Sequence, residues 1–217
     1  MNRRPLLLSR ALCLLWLLRA PLALDAQVYD QGVMTIRIGG AEAGLEKFSV
    51  VPTTDGVRIV SDVTFTAARP PLTFALSLER FSPADFAFQF RRSAAPSAQY
   101  FAILGKGRLT LRRIEVGAEQ ASESRGTPDL VPLADSVVAS LLQLVPMPGE
   151  AERTVTGIFP QGGRRARIVA VRSTGADGSA RIALTGGLEG VLELAPDGTL
   201  LRVTLPALQL EAERQQP

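Results

Sequence analysis

Apolar residues recur at every second position through most of this chain, and that period fixes the fold class before any motif is considered. Between Val57 and Ala67, the side chains Val57, Ile59, Val63 and Phe65 share one face, and Arg58, Asp62 and Thr64 share the other. Leu72, Phe74, Leu76 and Leu78 repeat the pattern, as do Phe86, Phe88 and Phe90. A period of two puts one side of a pleated strand in a core and the other in water, the mark of antiparallel sheets with one buried face. Asp55–Gly56, Asp177–Gly178, Asp197–Gly198 and Gly39–Gly40 lie between such runs. These dipeptides suit the left-handed turns of tight hairpins.

The pattern predicts strands near 28–38, 43–51, 57–68, 72–81, 85–92, 108–117, 154–160, 165–173, 179–185, 188–195 and 199–212, the last bending at Pro206. Residues 93–104 read as a loop followed by strand or a short helical turn, and 118–130 read as an exposed connection rich in Ser, Gly and Pro. One segment breaks the period. Val137, Val138, Leu141, Leu142 and Val145 form a helical stripe, with Asp135, Ser136, Ala139, Ser140 and Gln143 opposite. Pro132 suits a first turn and Pro146 a stop, so a helix is expected at about 132–145. The fold class is therefore mainly β: a strongly curved antiparallel sheet or open half-barrel of about ten or eleven strands, with one helix against its concave face.

The first 26 residues read differently. Met1–Arg4 is basic, Ala11–Leu18 is an apolar run, and Ala26 offers a small residue for cleavage. This is the three-part pattern of a secretory signal peptide. Arg10 and Arg19 flank a run too short to span a bilayer, which takes about 18 apolar residues. The expectation is a cleaved leader at 1–26 and one domain at 27–217, exported to a periplasm or secreted, with no transmembrane segment. The leader holds Arg3, Arg4, Arg10, Arg19 and Asp25, so the remainder carries 20 basic and 20 acidic residues. Zero net charge removes the global electrostatic case for nucleic-acid binding.

Cys13 and Trp16, the chain's single Cys and single Trp, both fall in the leader, and the chain has no His. The expected mature domain therefore has no disulfide, no catalytic triad with imidazole, no thiol nucleophile and no imidazole or thiolate metal site. No P-loop or dinucleotide fingerprint is present. No cofactor, metal site or catalytic residue is expected. Glu42, Glu46, Asp62, Glu79 and Asp85 are the carboxylates that could pair as acid and base, but no motif brackets two of them.

The apolar residues carry the binding expectation. Phe65, Phe74, Leu76, Phe86, Phe88 and Phe90 belong to three successive strands, and neighbouring strands bring same-face residues together. With Val138, Leu141 and Leu142 of the helix they are the candidate ligand-binding residues. They would either line a groove for an apolar ligand or fill a core beneath the helix.

At Gly40–Phe48, the stretch GAEAGLEKF, a strand and turn lead through G-x-x-x-G-x-E-x-F into a second strand and an Asp-Gly hairpin. Gly190–Leu205, with Pro196–Asp197–Gly198, closes the chain in a similar hairpin. The sequence in this respect resembles uncharacterised exported bacterial β-rich domains, some of which precede a hydrolase domain. Those resemble the half-barrel of periplasmic lipoprotein carriers. The resemblance implies a curved sheet around a helix and an apolar groove.

The reading that follows is an exported, non-enzymatic protein that binds a lipid-like or other hydrophobic ligand in a curved-sheet groove. The alternatives are an envelope interaction or accessory module with a filled core and no ligand, whose partner is another envelope protein, and a hydrolase-type enzyme using carboxylates only. A continuous apolar cavity, a filled core with an exposed apolar patch, or two convergent carboxylates would separate the three.

Overall fold

The computed structural model describes residues 29–216 except 83, 94, 95 and 148. The expected leader and its cleavage point lie outside the described residues. The described residues fold into one sheet of fifteen strands. These are β1 (Asp30–Ile38), β2 (Ala41–Thr53), β3 (Gly56–Phe65), β4 (Leu72–Ser82), β5 (Asp85–Arg92), β6 (Ala98–Gly105), β7 (Arg108–Glu115) and β8 (Ala118–Arg125). After them come β9 (Leu130–Pro132), β10 (Glu152–Phe159), β11 (Arg164–Thr174), β12 (Ala180–Gly186), β13 (Gly190–Leu194), β14 (Leu200–Leu205) and β15 (Leu210–Arg214). A 3₁₀ helix spans Val138–Leu144, and a short one spans Pro206–Leu208.

Two antiparallel meanders make up the sheet. The first runs β1 to β8 and the second β10 to β15, and they join where β1 pairs with β15. Strand β9 adds to β10 in parallel and forms one edge; β8 forms the other. Fifteen strands laid flat at the usual spacing would be roughly 70 Å across. Yet the two edge strands follow one another in sequence, separated only by residues 126–129. Such a connection reaches less than about 20 Å. The sheet must therefore curl until its edges nearly meet, and it remains an unclosed, strongly curved sheet.

The edges overlap instead of pairing. Ser124 shares the inner face of the β7–β8 hairpin with Leu109, while Arg165 points outward from β11. The Arg165 guanidinium donates to Ser124 Oγ at 2.8 Å, so β8 laps over the outside of β11. All eight residues of β8 are exposed.

Local sequence explains the register. Ile36 faces Gly44 but Arg37 faces Glu42, so Ala43 is the extra residue of a bulge that bends β2. A Cβ at Gly44 would fall on the Thr64 carbonyl oxygen, which only glycine avoids. At the opposite end of the sheet, Asp30 holds three strands together. Its carboxylate pairs with Arg214 of β15 and accepts from the Leu200 amide of β14 at 3.0 Å.

The concave side holds one contiguous core joining both meanders. Met34, Ile36, Ile59, Val63, Leu78 and Phe88 enter from the first, and Ile168, Ile182, Leu192, Val203 and Ala212 from the second. The segment between β9 and β10 enters this space as a plug.

The helix departs from expectation in type and length. Leu133 continues beside β10, donating to the Ile158 carbonyl at 2.8 Å, and Val137 stays extended. Helix begins only at Val138 and is 3₁₀, the narrower form with three residues per turn. It has no polar face: Ser140 and Gln143, expected on a polar side, are buried along with Val138, Ala139, Leu141 and Leu144, and the apolar Leu142 is the half-exposed residue. The strand number also exceeds the expected ten or eleven. Strands β6, β8 and β9 were not among the eleven, and the single strand expected at 199–212 is divided by Pro206–Leu208 into β14 and β15.

Candidate functional site

The plug is held at both ends by charged groups from opposite sides of the sheet. At its start stands Glu46 of β2, the glutamate of the G-x-x-x-G-x-E-x-F stretch. Its period places it on the same face as Phe48 and Val50, and it is wholly buried. Glu46 Oε2 accepts from the Val138 amide at 2.7 Å, and Oε1 accepts from the Ala139 amide at 2.8 Å and from Ser61 Oγ at 2.8 Å. The helix has no side-chain cap of its own, so Glu46 satisfies amides that a local Ser or Asp would otherwise serve. Burial pushes this carboxyl up to about 7, against the opposing pull of the three hydrogen bonds.

At the other end the partners are arginines. Arg153 of β10 donates from Nη1 to the Gln143 carbonyl at 2.9 Å and to the Val145 carbonyl at 3.4 Å. Arg172 of β11 reaches the Pro146 carbonyl at 3.4 Å. From the first meander, Arg80 of β4 donates to Gln143 Oε1 at 3.4 Å and lies over the Phe86 ring, 5.7 Å from its centroid. Burial, helped by the charge of Arg153, lowers Arg80 to about 10. Gln143 in turn donates to the Pro132 carbonyl at 2.7 Å, and Ser140 Oγ to that of Val137 at 2.7 Å. A carboxylate at the amide end and guanidinium groups at the carbonyl end match the polarity of the helix.

The sequence-expected binding residues do come together. Phe65 meets Phe74 edge-on at 5.9 Å, Phe74 stacks on Phe90 at 5.3 Å, and Phe90 meets Tyr100 at 6.0 Å. Phe74, Leu76, Phe86, Phe88, Phe90, Val138 and Leu141 are all buried in the core, and Phe65 and Leu142 pack against it half-exposed.

Hollows lie elsewhere. One, mostly apolar and about 410 Å³, opens at the sheet end where the plug leaves, between Val50, Leu142, Val145, Met147, Leu194 and Pro196. Tyr29 and Met147 on its rim are 65% and 62% exposed, beside the exposed turn Pro196–Asp197–Gly198. A second, of about 300 Å³, lies in the overlapping seam between Arg112, Arg113, Gln120 and the β10–β11 turn. A third, near Val138, Leu141 and Phe159, measures about 10 Å³ and holds no more than a water. None of the three is lined by the phenylalanines of β3, β4 or β5; only Val138, Leu141 and Leu142 among the expected residues line any.

The five candidate carboxylates do not converge. Glu46 turns inward, Glu42 and Asp62 are exposed on the outer face, Glu79 pairs with Arg58 there at 2.9 Å, and Asp85 lies half-exposed at the start of β5. Among the described residues no group of three or more His, Cys, Asp or Glu could hold a metal. No helix of the described residues is long and apolar enough to cross a membrane.

What sequence reasoning missed is the clamp: Glu46 was read as one carboxylate among five, and Arg80, Arg153 and Arg172 drew no notice. Parity held the signal for Glu46, since Gly44, Glu46, Phe48 and Val50 share one face.

No family model matches the sequence, and no curated protein matches it either. Among solved structures, the fold is similar to a β-barrel-like protein of the domain of unknown function DUF1849 from Brucella abortus. The two superpose with a TM-score of 0.51 at 11% identity, over 86% of this chain and 95% of that one. The likeness establishes a β-barrel-like fold and leaves function to the site.

Proposed function

We propose that this chain is an exported, non-catalytic binding module that engages an envelope partner at the mouth of its curved sheet and carries no ligand through its lumen. The observation that supports this is packing. The phenylalanine row and the plug form one buried core, and the plug is clamped from both meanders, leaving the lumen no room for a lipid chain. The mouth presents an exposed apolar surface, where Tyr29 and Met147 stand in water over a hollow of about 410 Å³. Export is the part of this reading that rests on the leader pattern at 1–26.

A second reading uses the same mouth. Its volume lies within the roughly 300–1,000 Å³ usual for small-molecule sites, and Leu142 lines it. A small hydrophobic molecule held there would agree with the resemblance to lipoprotein carriers.

Photo-crosslinking residues placed at positions 29 and 147, together with titration of a fluorescent fatty-acid probe, test both readings. The module reading expects cross-links from the mouth to one envelope protein and no saturable probe binding. Saturable binding abolished by Met147→Glu favours the second reading. Binding abolished by Phe88→Ala in a folded protein, and indifferent to Met147→Glu, places a ligand in the lumen and overturns both.

A further inference from the structure

Glu46 is a carboxyl group enclosed in apolar surroundings, with no cation among the described residues hydrogen-bonded to it. Across β1 its neighbour is Met34, and across β3 it is Val63, both fully buried. The charged residues of every packed element look elsewhere. On β1, Asp30 pairs with Arg214 and Arg37 with Glu213. On β2, Glu42 and Lys47 are exposed; on β3, Arg58 pairs with Glu79 and Asp62 is exposed. On the plug segment, Asp135 is turned outward to Arg164 at 3.4 Å. The polar contacts of Glu46 are Ser61 and the first two amides of the plug helix.

We propose that Glu46 is a proton-operated latch: neutral, it keeps the first turn of the plug inside the sheet, and on losing its proton it releases that turn toward solvent. The neutral acid suits the enclosure because it carries no charge into it, while Oε2 as its carbonyl oxygen still accepts from the Val138 amide. The anion accepts three hydrogen bonds but has neither water nor a cation, and an ionised group in that condition favours whatever motion brings it to water. Only one end is affected. The arginine hydrogen bonds to the Gln143, Val145 and Pro146 carbonyls do not involve Glu46, so the plug swings from its arginine-held end and does not leave the sheet.

The sign follows from linkage. The closed state holds the proton up to about pH 7, whereas a solvated glutamate loses it near 4.5. Opening therefore releases a proton between these values. Its equilibrium constant rises about tenfold per pH unit from about 4.5 to about 7 and levels off above.

Amide hydrogen exchange of Val138 and Ala139, followed by NMR on the purified protein from pH 5 to 8 and corrected for intrinsic exchange, reads this opening directly. The expected result is loss of protection of nearly tenfold per unit, flattening near pH 7, with amides of β3 and β4 unaffected. Glu46→Gln should abolish the slope. Ser61→Ala removes a bond that lowers the Glu46 pKa, and should keep the slope while moving its upper limit to higher pH; this variant decides the matter should Glu46→Gln not fold. Protection independent of pH in the wild type, the same slope in Glu46→Gln, or an unmoved limit in Ser61→Ala overturns the latch.

Discussion

Glu46 and Arg153 fix the plug at its two ends, because each hydrogen-bonds backbone groups of that segment from a different meander. Removing the Glu46 carboxyl strands two plug amides and the Ser61 hydroxyl in a dry interior. At about 1–3 kcal/mol for each unsatisfied group, offset by relief of a buried acid, Glu46→Ala should cost about 2–4 kcal/mol in urea unfolding. The acid also makes stability depend on pH. Its folded pKa lies above its unfolded value, so the native state binds more protons between about pH 4.5 and 7. Stability should fall by about 3 kcal/mol across that interval and be flat above it, and Glu46→Gln should remove this component. Equilibrium unfolding at a series of pH values checks both the direction and the plateau. An exposed carboxylate at this position would give the reverse slope or none.

Among the elements, the β7–β8 hairpin shows best what a sequence reveals and what it conceals. Alternation exposed β3, β4 and β5 because each has one wet and one dry face. Strand β8 has two wet faces, so Glu119, Ala121, Glu123 and Arg125 alternate with Gln120, Ser122 and Ser124 without any contrast in polarity. Nothing in such a segment distinguishes a strand from a loop; its structure comes from pairing with β7. Strand β6 did carry a signal, with Ala98, Tyr100, Ala102 and Leu104 all buried, but alanine is a weak marker of burial. The plug was legible as helical from its spacing, yet not as 3₁₀ or as buried on its polar side, since that depends on how many strands surround it. The mouth hollow was not legible at all, because Tyr29, Val50, Leu142 and Leu194 meet only through the curl of the whole sheet.

The same hairpin makes a prediction. Its turn, Val116–Gly117, has φ of 48° and 79° at the two positions, a geometry that suits Asn-Gly. A β-branched residue in the left-handed region is strained, and Val116 is 81% exposed, so it gains nothing from burial. Val116→Asn should therefore stabilise the protein by about 1 kcal/mol, seen as a raised urea midpoint. A destabilised variant would mean that Val116 makes a contact the exposed turn does not show.

At the scale of the whole molecule, two meanders close around a plug and are joined by the pairing of the first strand with the last. Cohesion of this kind rests on one apolar core and a few buried polar clamps. Thermal melts of the protein should therefore be the same with and without a thiol reductant, and with and without EDTA. A fall of many degrees with chelator would reveal an all-oxygen cation site.

The central claim is that the phenylalanine row is filled core, not the wall of a binding chamber. Phe88 lies at the middle of that row, paired across β4 with Leu78 and across β6 with Ala102, and is 1% exposed. A phenylalanine surrounded by packed side chains loses about 3–5 kcal/mol of stability on truncation to alanine, through lost transfer energy and the cavity left behind. One lining a void or a displaceable ligand loses much less. Urea unfolding of Phe88→Ala against the wild type is thus the most direct test: a loss of about 3–5 kcal/mol is the predicted result, and a loss below about 1 kcal/mol would contradict it.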